Sequence, residues 1–337
     1  MSANLRLTVD TGALAANWRA MAAASSTATA GAAVKADAYG LGAQRVVDVL
    51  AHAGCRDFFV SSWSEAAALA MPPETRLAVL HGVQDGEMST ALASDAVPVL
   101  CTPAQVAAWR EAVPGRRCDI MVDTGINRLG LTPAEAMSGL LDGLAIDVLH
   151  SHLACADDLA SPHNAAQLAA FNAVVAAIPA ARAALANSAG VRLGVDYAFD
   201  LTRPGLALYG GAGARPVVRL SVRVVQVRDV PAGASVGYGA TWTAERASRI
   251  AVLNAGYADG YPRALSKVGH VVATGRRCPV VGRVSMDLIA ADVTAAEVRE
   301  GDWLDLGFDL AATAAAAGCT QYELLTGLGH RYARDYQ

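Results

Sequence analysis

A strand–helix rhythm limits the folds open to this chain more than any other property of it. Up to about residue 210, short β-rich apolar runs alternate with Ala-rich helical ones: LRLTV before ALAANWRAMAAA, AAVKA before GAQRVVDVLAHAG, DFFVSS before SEAAALAM, RLAVLHG before GEMSTALAS, and AVPVLC before TPAQVAAWREAV. The rhythm continues through CDIMVDT, IDVLHSHLA and RAALANS to the apolar run LALYG. Buried parallel strands alternating with helices define an α/β unit, because helices must cover strands that are apolar on both faces. Helix-start signals stand at several joins, notably Ser64 with Glu65, Thr102-Pro103, and Thr132-Pro133 with Glu135. About eight such units, with no GxGxxG after the first strand, favour a closed (β/α)8 barrel of the TIM type over an open doubly wound sheet.

After Gly210-Gly211 the helical pattern stops, and VVRLSVRVVQV, SRIAVLNAG, GHVVATG, CPVVGRV and DWLDLG read as strands broken by Gly and Pro turns. The expected organisation is therefore a barrel over residues 1–212 and a mainly β domain over residues 213–337. With 53% hydrophobic and 17% charged residues, the chain can bury at least one substantial core. A net charge of −4 gives no footprint for nucleic acid or an anionic membrane, so the ligand is expected to be small. The six cysteines form no CxxC and no Cys/His cluster with zinc-like spacing, which reads as reduced thiols and no metal site. MSANLRLTVD lacks a basic stretch followed by an apolar one, and the most apolar long run, Leu168 to Ala186, is interrupted by Asn172, Pro179 and Arg182. A soluble, cytoplasmic protein is expected.

Lys35 is the first residue that invites chemistry, since it ends the apolar run AAVK. It is expected at the C-terminal mouth of the second barrel strand, where enzymes of this architecture place their reacting groups. A lysine desolvated there loses charge, and its neutral amine can form a Schiff base; position alone is equally consistent with a lysine snorkelling at a strand end.

VKADAYGLGA, residues 34–43, resembles the pyridoxal-phosphate lysine motif of the alanine racemase family, and further matches follow in order. They are VDTGINRLG (122–130), HSHLA (150–154), ANSAG (186–190), RPGLALYG (203–210), GYGATW (237–242), AGYADGYPR (255–263), VGRVSMD (281–287) and YELLTGLGHR (322–331). The resemblance covers nearly the whole chain and implies a barrel followed by a β domain. It further implies pyridoxal 5'-phosphate as cofactor, attached at Lys35, and a small amino acid as substrate.

Racemisation needs acid/base groups on both faces of a planar carbanion. The resemblance assigns Lys35 to the D-face and Tyr238 to the L-face. A tyrosine base needs positive charge or hydrogen bonds nearby, and Arg128 with a His152–Arg203 pair is implied as the source. Arg203 is also implied at the pyridine nitrogen, where a guanidinium cannot readily give up its proton and so weakens the electron sink. The phosphate is assigned to Ser188 and the backbone of Gly205 and Leu206, with Tyr39 and Tyr322 as phenolic donors and Asn187 behind them. The substrate carboxylate is assigned to Arg128 and the Met286 amide, and a narrow entrance to Tyr257. By the same resemblance Tyr238, Tyr257 and Met286 come from the other subunit of a head-to-tail homodimer with shared sites.

One position departs from the family. Many relatives carry a lysine, often carbamylated, where this chain has Met121, and methionine cannot accept hydrogen bonds from Arg128 as a carbamate does. Asn127 or a β-domain residue is the alternative acceptor; otherwise the site is looser. The expected activity is interconversion of L- and D-alanine for cell-wall peptides. The rivals are a serine-type or broader racemase, a decarboxylase of basic amino acids, whose late Cys-Asp pair is missing here, and a non-catalytic pyridoxal-phosphate homeostasis protein, which would lack the β domain.

Overall fold

The computed structural model describes residues 4–337. It divides into two compact units: Leu14–Leu208, and a second made of the residues up to Ala13 together with Tyr209–Gln337.

The strand β1 (Leu5–Val9) belongs to the second unit. The first unit holds β2 (Thr29–Ala30), β3 (Ala32–Ala33), β4 (Asp57–Val60), β5 (Arg76–Val79), β6 (Val97–Leu100), β7 (Arg117–Met121), β8 (Ala145–His150), β9 (Arg182–Ala184) and β10 (Leu201–Thr202). β3 to β9 form a seven-stranded parallel sheet in sequence order. β2 and β3 are one strand interrupted at Gly31: the β3 half pairs with β4 and the β2 half with β10. Bonds from Asp200 N to Ala183 O (3.1 Å) and Arg203 N to Ala186 O (2.8 Å) tie the β10 segment to the β9 segment, so eight strand positions close into a parallel barrel. A side chain at position 31 would put its Cβ 2.7 Å from both the Asp57 carbonyl oxygen and the Phe59 ring, which explains the glycine at the crossing.

The barrel interior is filled from every side by Phe59, Ala78, Val99, Cys101, Met121, Val148, Ala184 and Leu201. Met121 is part of this apolar filling. Thr102 and Thr132 cap their helices as expected, the latter in a full capping box with Glu135. The helix Trp63–Ala67 starts one step earlier than the sequence suggests: Ser62, not Ser64, is its cap, accepting from Glu65 N.

In the second unit follow β11 (Val218–Val230), β12 (Ser235–Val236), β13 (Trp242–Thr243), β14 (Ser248–Leu253), β15 (His270–Ala273), β16 (Arg276–Val281), β17 (Ile289–Asp292), β18 (Trp303–Asp305) and β19 (Ala333–Tyr336). The long β11 pairs with β18 and β1 through its first half and with β14 through its second, across a bulge between Val224 and Gln226. The ring β14-β17-β16-β15-β18-β11 is thereby closed, which removes most exposed sheet edges. Thr274 and Gly275, both at positive φ, make the tight turn of the β15–β16 hairpin.

Three expectations need correction. LRLTV is not a barrel strand; it lies between β11 and β19. Lys35 consequently follows the first barrel strand, not the second. LALYG is not a strand either: Leu206–Tyr209 is a short 3-10 helix, and the eighth barrel strand is the two-residue β10. The compact units meet at residues 208/209, and the segment up to Ala13 groups with the second unit because β1 pairs there.

Candidate active site

Immediately after β3 the chain enters a left-handed turn in which Ala36, Asp37, Ala38 and Tyr39 all have φ between 52° and 58°. Such a conformation costs roughly 1–2 kcal/mol for each non-glycine residue, so something must hold it. Glu65 does: its carboxylate accepts from Ala36 N (2.7 Å) and Ser61 N (2.6 Å). Asp37 Oδ1 closes the turn by accepting from Ala43 N at 2.7 Å. The consequence is that Lys35 emerges at the barrel mouth with its backbone fixed. Burial lowers its pKa, Arg128 and Arg203 lower it further, and Glu65 opposes them.

Across the mouth, Tyr39 is buried and its hydroxyl reaches the segment after β10: a Cβ on Gly205 would lie 2.2 Å from it. Ser188 Oγ accepts from Gly205 N (2.9 Å) and Ala207 N (3.2 Å), so a hydroxyl and two backbone donors converge there. Asn187 stands behind, its Oδ1 accepting from Ala189 N (3.1 Å) and Gly190 N (2.9 Å). Leu206 begins the 3-10 helix beside them. Tyr39, Asn187, Ser188, Gly205 and Leu206 thus form one cradle.

Arg203 is buried between β8 and β9. NH1 donates to His150 Nδ1 (3.1 Å) and Ala184 O (2.8 Å), and NH2 to the carbonyls of Ser151 and Leu185. The imidazole hydrogen-bonded to Arg203 is that of His150. His150 ends β8 with no exposed surface, whereas His152 lies two residues beyond the strand and is half-buried. His152 remains close enough to feel charge: burial, then Arg203, Arg128 and Lys35, push its pKa down to about 3. Arg203 itself falls only to about 10, because burial is opposed by Asp119, so it is a cation at neutral pH.

Arg128 sits on the loop after β7, whose turn is wrapped around Asp123. That carboxylate accepts from Gly125 N (2.9 Å), Asn127 N (3.0 Å) and Arg128 N (2.7 Å). Burial works against the Asp123 charge, but these backbone donors outweigh it and hold the carboxyl below its ordinary range. Asn127 is therefore a turn residue at φ 54°, not the acceptor expected for Arg128. Among the described residues no side chain accepts from the Arg128 guanidinium; its backbone is what is fixed.

The other site residues lie on the second unit. Tyr238 opens a 3-10 turn (Tyr238–Ala240) between β12 and β13 and is 74% exposed. Tyr257 and Met286 are also exposed and share one surface, because Tyr257 N donates to Ser285 O and Ala258 N to Met286 O, each at 3.1 Å. Arg331 ties their loops together, donating to buried Asp259 (2.6 and 2.8 Å) and to Asp287 (2.7 Å). Tyr322 lies on the helix Gln321–Thr326, which Thr320 and Glu323 cap reciprocally. Glu65, Asp119, His150 and Arg331 were given no site role by the sequence reading. For Asp119 and His150 a signal existed: each is a titratable residue in a run otherwise destined for burial.

The barrel mouth fits a pyridoxal phosphate. It offers a desolvated lysine, a glycine-lined cradle of donors, and a guanidinium whose Nε–H has no partner among the described residues. No carboxylate stands where Arg203 does. A parallel barrel carrying such a lysine at a strand end, followed by a closed β unit, defines a class of pyridoxal-phosphate enzyme. Residues 9–213 match the family model "Alanine racemase, N-terminal domain" and residues 217–336 match "Alanine racemase, C-terminal domain". The chain is 45% identical to the biosynthetic alanine racemase of Agrobacterium fabrum, over 99% of this chain and 94% of that protein. It is 44% identical to the alanine racemase of Acidiphilium cryptum, over 97% of each. The crystal structure of the Bartonella henselae alanine racemase with covalently bound pyridoxal phosphate superposes with a TM-score of 0.91, at 34% identity and full coverage of both chains. The Streptomyces coelicolor A3(2) alanine racemase gives 0.92 at 30% identity, over 99% of this chain and 98% of that one. The chain belongs to the alanine racemase family of pyridoxal-phosphate-dependent isomerases. No helix among the described residues is long and apolar enough to cross a membrane.

Proposed function

We propose that this chain interconverts L- and D-alanine with two bases, Lys35 and Tyr238, in a cytoplasmic homodimer whose sites are shared between subunits. The observation that carries the reading is the state of Lys35: a half-buried amine whose pKa is lowered by burial and by Arg128 and Arg203, on a backbone that Glu65 fixes at Ala36 N. Bound there, pyridoxal phosphate supplies an electron sink for the α-carbanion.

The protein's residues supply the rest. The Lys35 amine, its pKa lowered by burial, takes or returns the α-proton on one face, and the Tyr238 hydroxyl does so on the other. Arg203 donates a hydrogen bond while keeping its proton. Arg128 holds the substrate carboxylate by a charge-assisted pair, together with the backbone N–H of Met286. Tyr39, Ser188, Gly205 and Leu206 hold the phosphate, with Tyr322 as a further donor, and His152, neutral beside Arg203, supports the ring side of the pocket. Tyr257 narrows the entrance toward small side chains. Exposure of Tyr238, Tyr257 and Met286 on the second unit supports a second copy as the source of these groups.

A chiral product assay with alanine, serine and lysine tests the reaction and its breadth. Lys35→Ala should lose the cofactor's visible colour, and Tyr238→Phe should abolish α-deuterium exchange from L-alanine while leaving the colour. Mixing these two inactive variants tests sharing: a heterodimer with shared sites has one intact site, so activity should return to about a quarter of wild type. Mixed samples that stay inactive, despite demonstrated subunit exchange, would refute shared sites.

A further inference from the structure

Beneath the mouth, the barrel interior holds a file of charged side chains that the reaction above leaves unused. Arg182 grips Asp57 with two bonds of 3.0 Å and reaches Asp147 at 3.2 Å. Arg76 pairs with Asp147 at 2.8 Å and with Asp119. Asp119 bonds His150 Nε2 at 2.9 Å, and His150 Nδ1 meets Arg203 NH1 at 3.1 Å. Three carboxylates and three guanidiniums balance when the imidazole is neutral. Asp119 and His150 have no exposed surface and Arg203 almost none.

Donor and acceptor chemistry leaves this file a single arrangement. An ionised carboxylate only accepts and a guanidinium only donates, so the imidazole between them must carry its hydrogen on Nε2 and present a bare Nδ1. Protonated His150 would set a second N–H against Arg203. Burial, partly opposed by Asp119 and reinforced by Arg203 and Arg76, pushes its pKa down to about 4. Those three are the charged groups acting on it, and the Phe59 ring lies edge-on at 5.9 Å. Asp119 stays ionised: burial opposes its charge, but His150 and Arg76 together hold its pKa below the ordinary range. With NH1 and NH2 occupied by His150, Ala184 and the carbonyls of Ser151 and Leu185, the guanidinium cannot rotate, and Nε–H is the donor it has left.

We propose that Asp119 is a positioning residue for the racemase: by fixing the His150 tautomer it anchors Arg203 so that its remaining N–H points to the cofactor ring. The proposal rests on the reading that Arg203 faces that ring. Asp119→Asn is the informative change. The carbonyl oxygen of the new amide is kept where Arg76 and Val148 N (3.1 Å) donate, so its NH2 turns to His150. His150 Nε2 must then accept, Nδ1 takes the hydrogen, and two N–H groups confront each other where one hydrogen bond stood.

The test labels histidine with 15N and reads the His150 tautomer by NMR in cofactor-free and loaded protein, alongside the visible spectrum of the bound cofactor and the kcat and KM for alanine. Asp119→Asn should reverse the tautomer in both forms, displace the visible band and lower kcat about 10- to 100-fold with KM little changed. His150→Phe, which stays apolar beside Phe59 and leaves Asp119 paired with Arg76, should reproduce the spectral and kcat effects if the Asn variant does not fold. Arg203→Gln separates the two layers of the argument. If it displaces the band while Asp119→Asn and His150→Phe leave tautomer, band and kcat as in wild type, Arg203 faces the ring and the role of Asp119 is refuted. If Arg203→Gln leaves the band unmoved, the reading of Arg203 itself fails, and the proposal with it.

Discussion

Gly205 offers a direct measure of how tightly the cradle is built. Replacing it with alanine would place Cβ 2.2 Å from the Tyr39 hydroxyl, 3.0 Å from the ring carbon bearing it and 3.4 Å from Ala33 Cβ. Ordinary contact requires the hydroxyl to retreat by about 1 Å. Tyr39 cannot swing away freely, because it is buried and its backbone belongs to the left-handed turn. Overpacking of this kind costs about 1–3 kcal/mol. The offending atom is the hydroxyl, so Tyr39→Phe should relieve most of the clash. A double-mutant cycle on cofactor-free protein, followed by urea unfolding at fixed protein concentration, should show Gly205→Ala costing at least ~1 kcal/mol less when Tyr39→Phe is already present. Equal cost in both backgrounds would mean that the backbone, not the hydroxyl, sets the limit at 205, and the reasoning would be wrong.

Lys35 has a pKa below its unfolded value, so the unfolded chain binds more protons and stability rises with pH between the folded pKa and about 10.5. Lys35→Met should flatten that rise, seen as a stability advantage over wild type near neutrality that shrinks at alkaline pH; a pH-independent difference would contradict it. Arg331→Ala should cost about 2–4 kcal/mol in urea unfolding, since buried Asp259 loses two charge-assisted bonds, whereas Asp287→Asn, on the exposed side of the same clamp, should cost under about 1 kcal/mol. The Cys55, Cys101 and Cys118 thiols, each pushed up to about 12 chiefly by burial, should resist alkylation in the folded protein and react on unfolding, as peptide mapping would show.

The barrel was legible because its strands are buried on both faces and so read as continuous apolar runs; Phe58, Phe59 and Val60 on β4 have no exposed surface. The same criterion, applied strictly, would have excluded LRLTV. There Leu5, Leu7 and Val9 are buried while Arg6 is exposed, the alternation of a strand with one wet face. β10 was illegible for a different reason: two residues carry no periodicity, and its partner β2 is equally short. LALYG failed as a strand because a short apolar run does not distinguish a strand from a buried helical turn. At the site, motif resemblance named Lys35, Arg203 and Ser188 without showing what restrains them. Restraint comes from contacts distant in sequence, such as Glu65 on the turn after Lys35 and His150 on Arg203.

The fate of Arg128 follows from the same distinction between a residue and its restraints. A carbamylated lysine at position 121 would anchor the guanidinium from its side; Met121 instead completes the apolar barrel filling with Phe59 and Val148. Here the anchor is moved to the backbone, where Asp123 gathers three N–H groups and fixes the point from which Arg128 departs. Its guanidinium is left with charge but no partner side chain among the described residues, close to two other groups that its field depresses, Lys35 and His152. Three basic groups, Lys35, Arg128 and Arg203, thus share a mouth in which Glu65 is the nearby counter-charge acting on Lys35. Such a cluster is most stable when an anion joins it, and a phosphate or a carboxylate is the anion the cradle can hydrogen-bond. The electrostatic cost of holding these groups together without ligand is therefore the source of part of the binding free energy. Methionine at 121 bears on how sharply Arg128 is aimed rather than on whether an anion is drawn in.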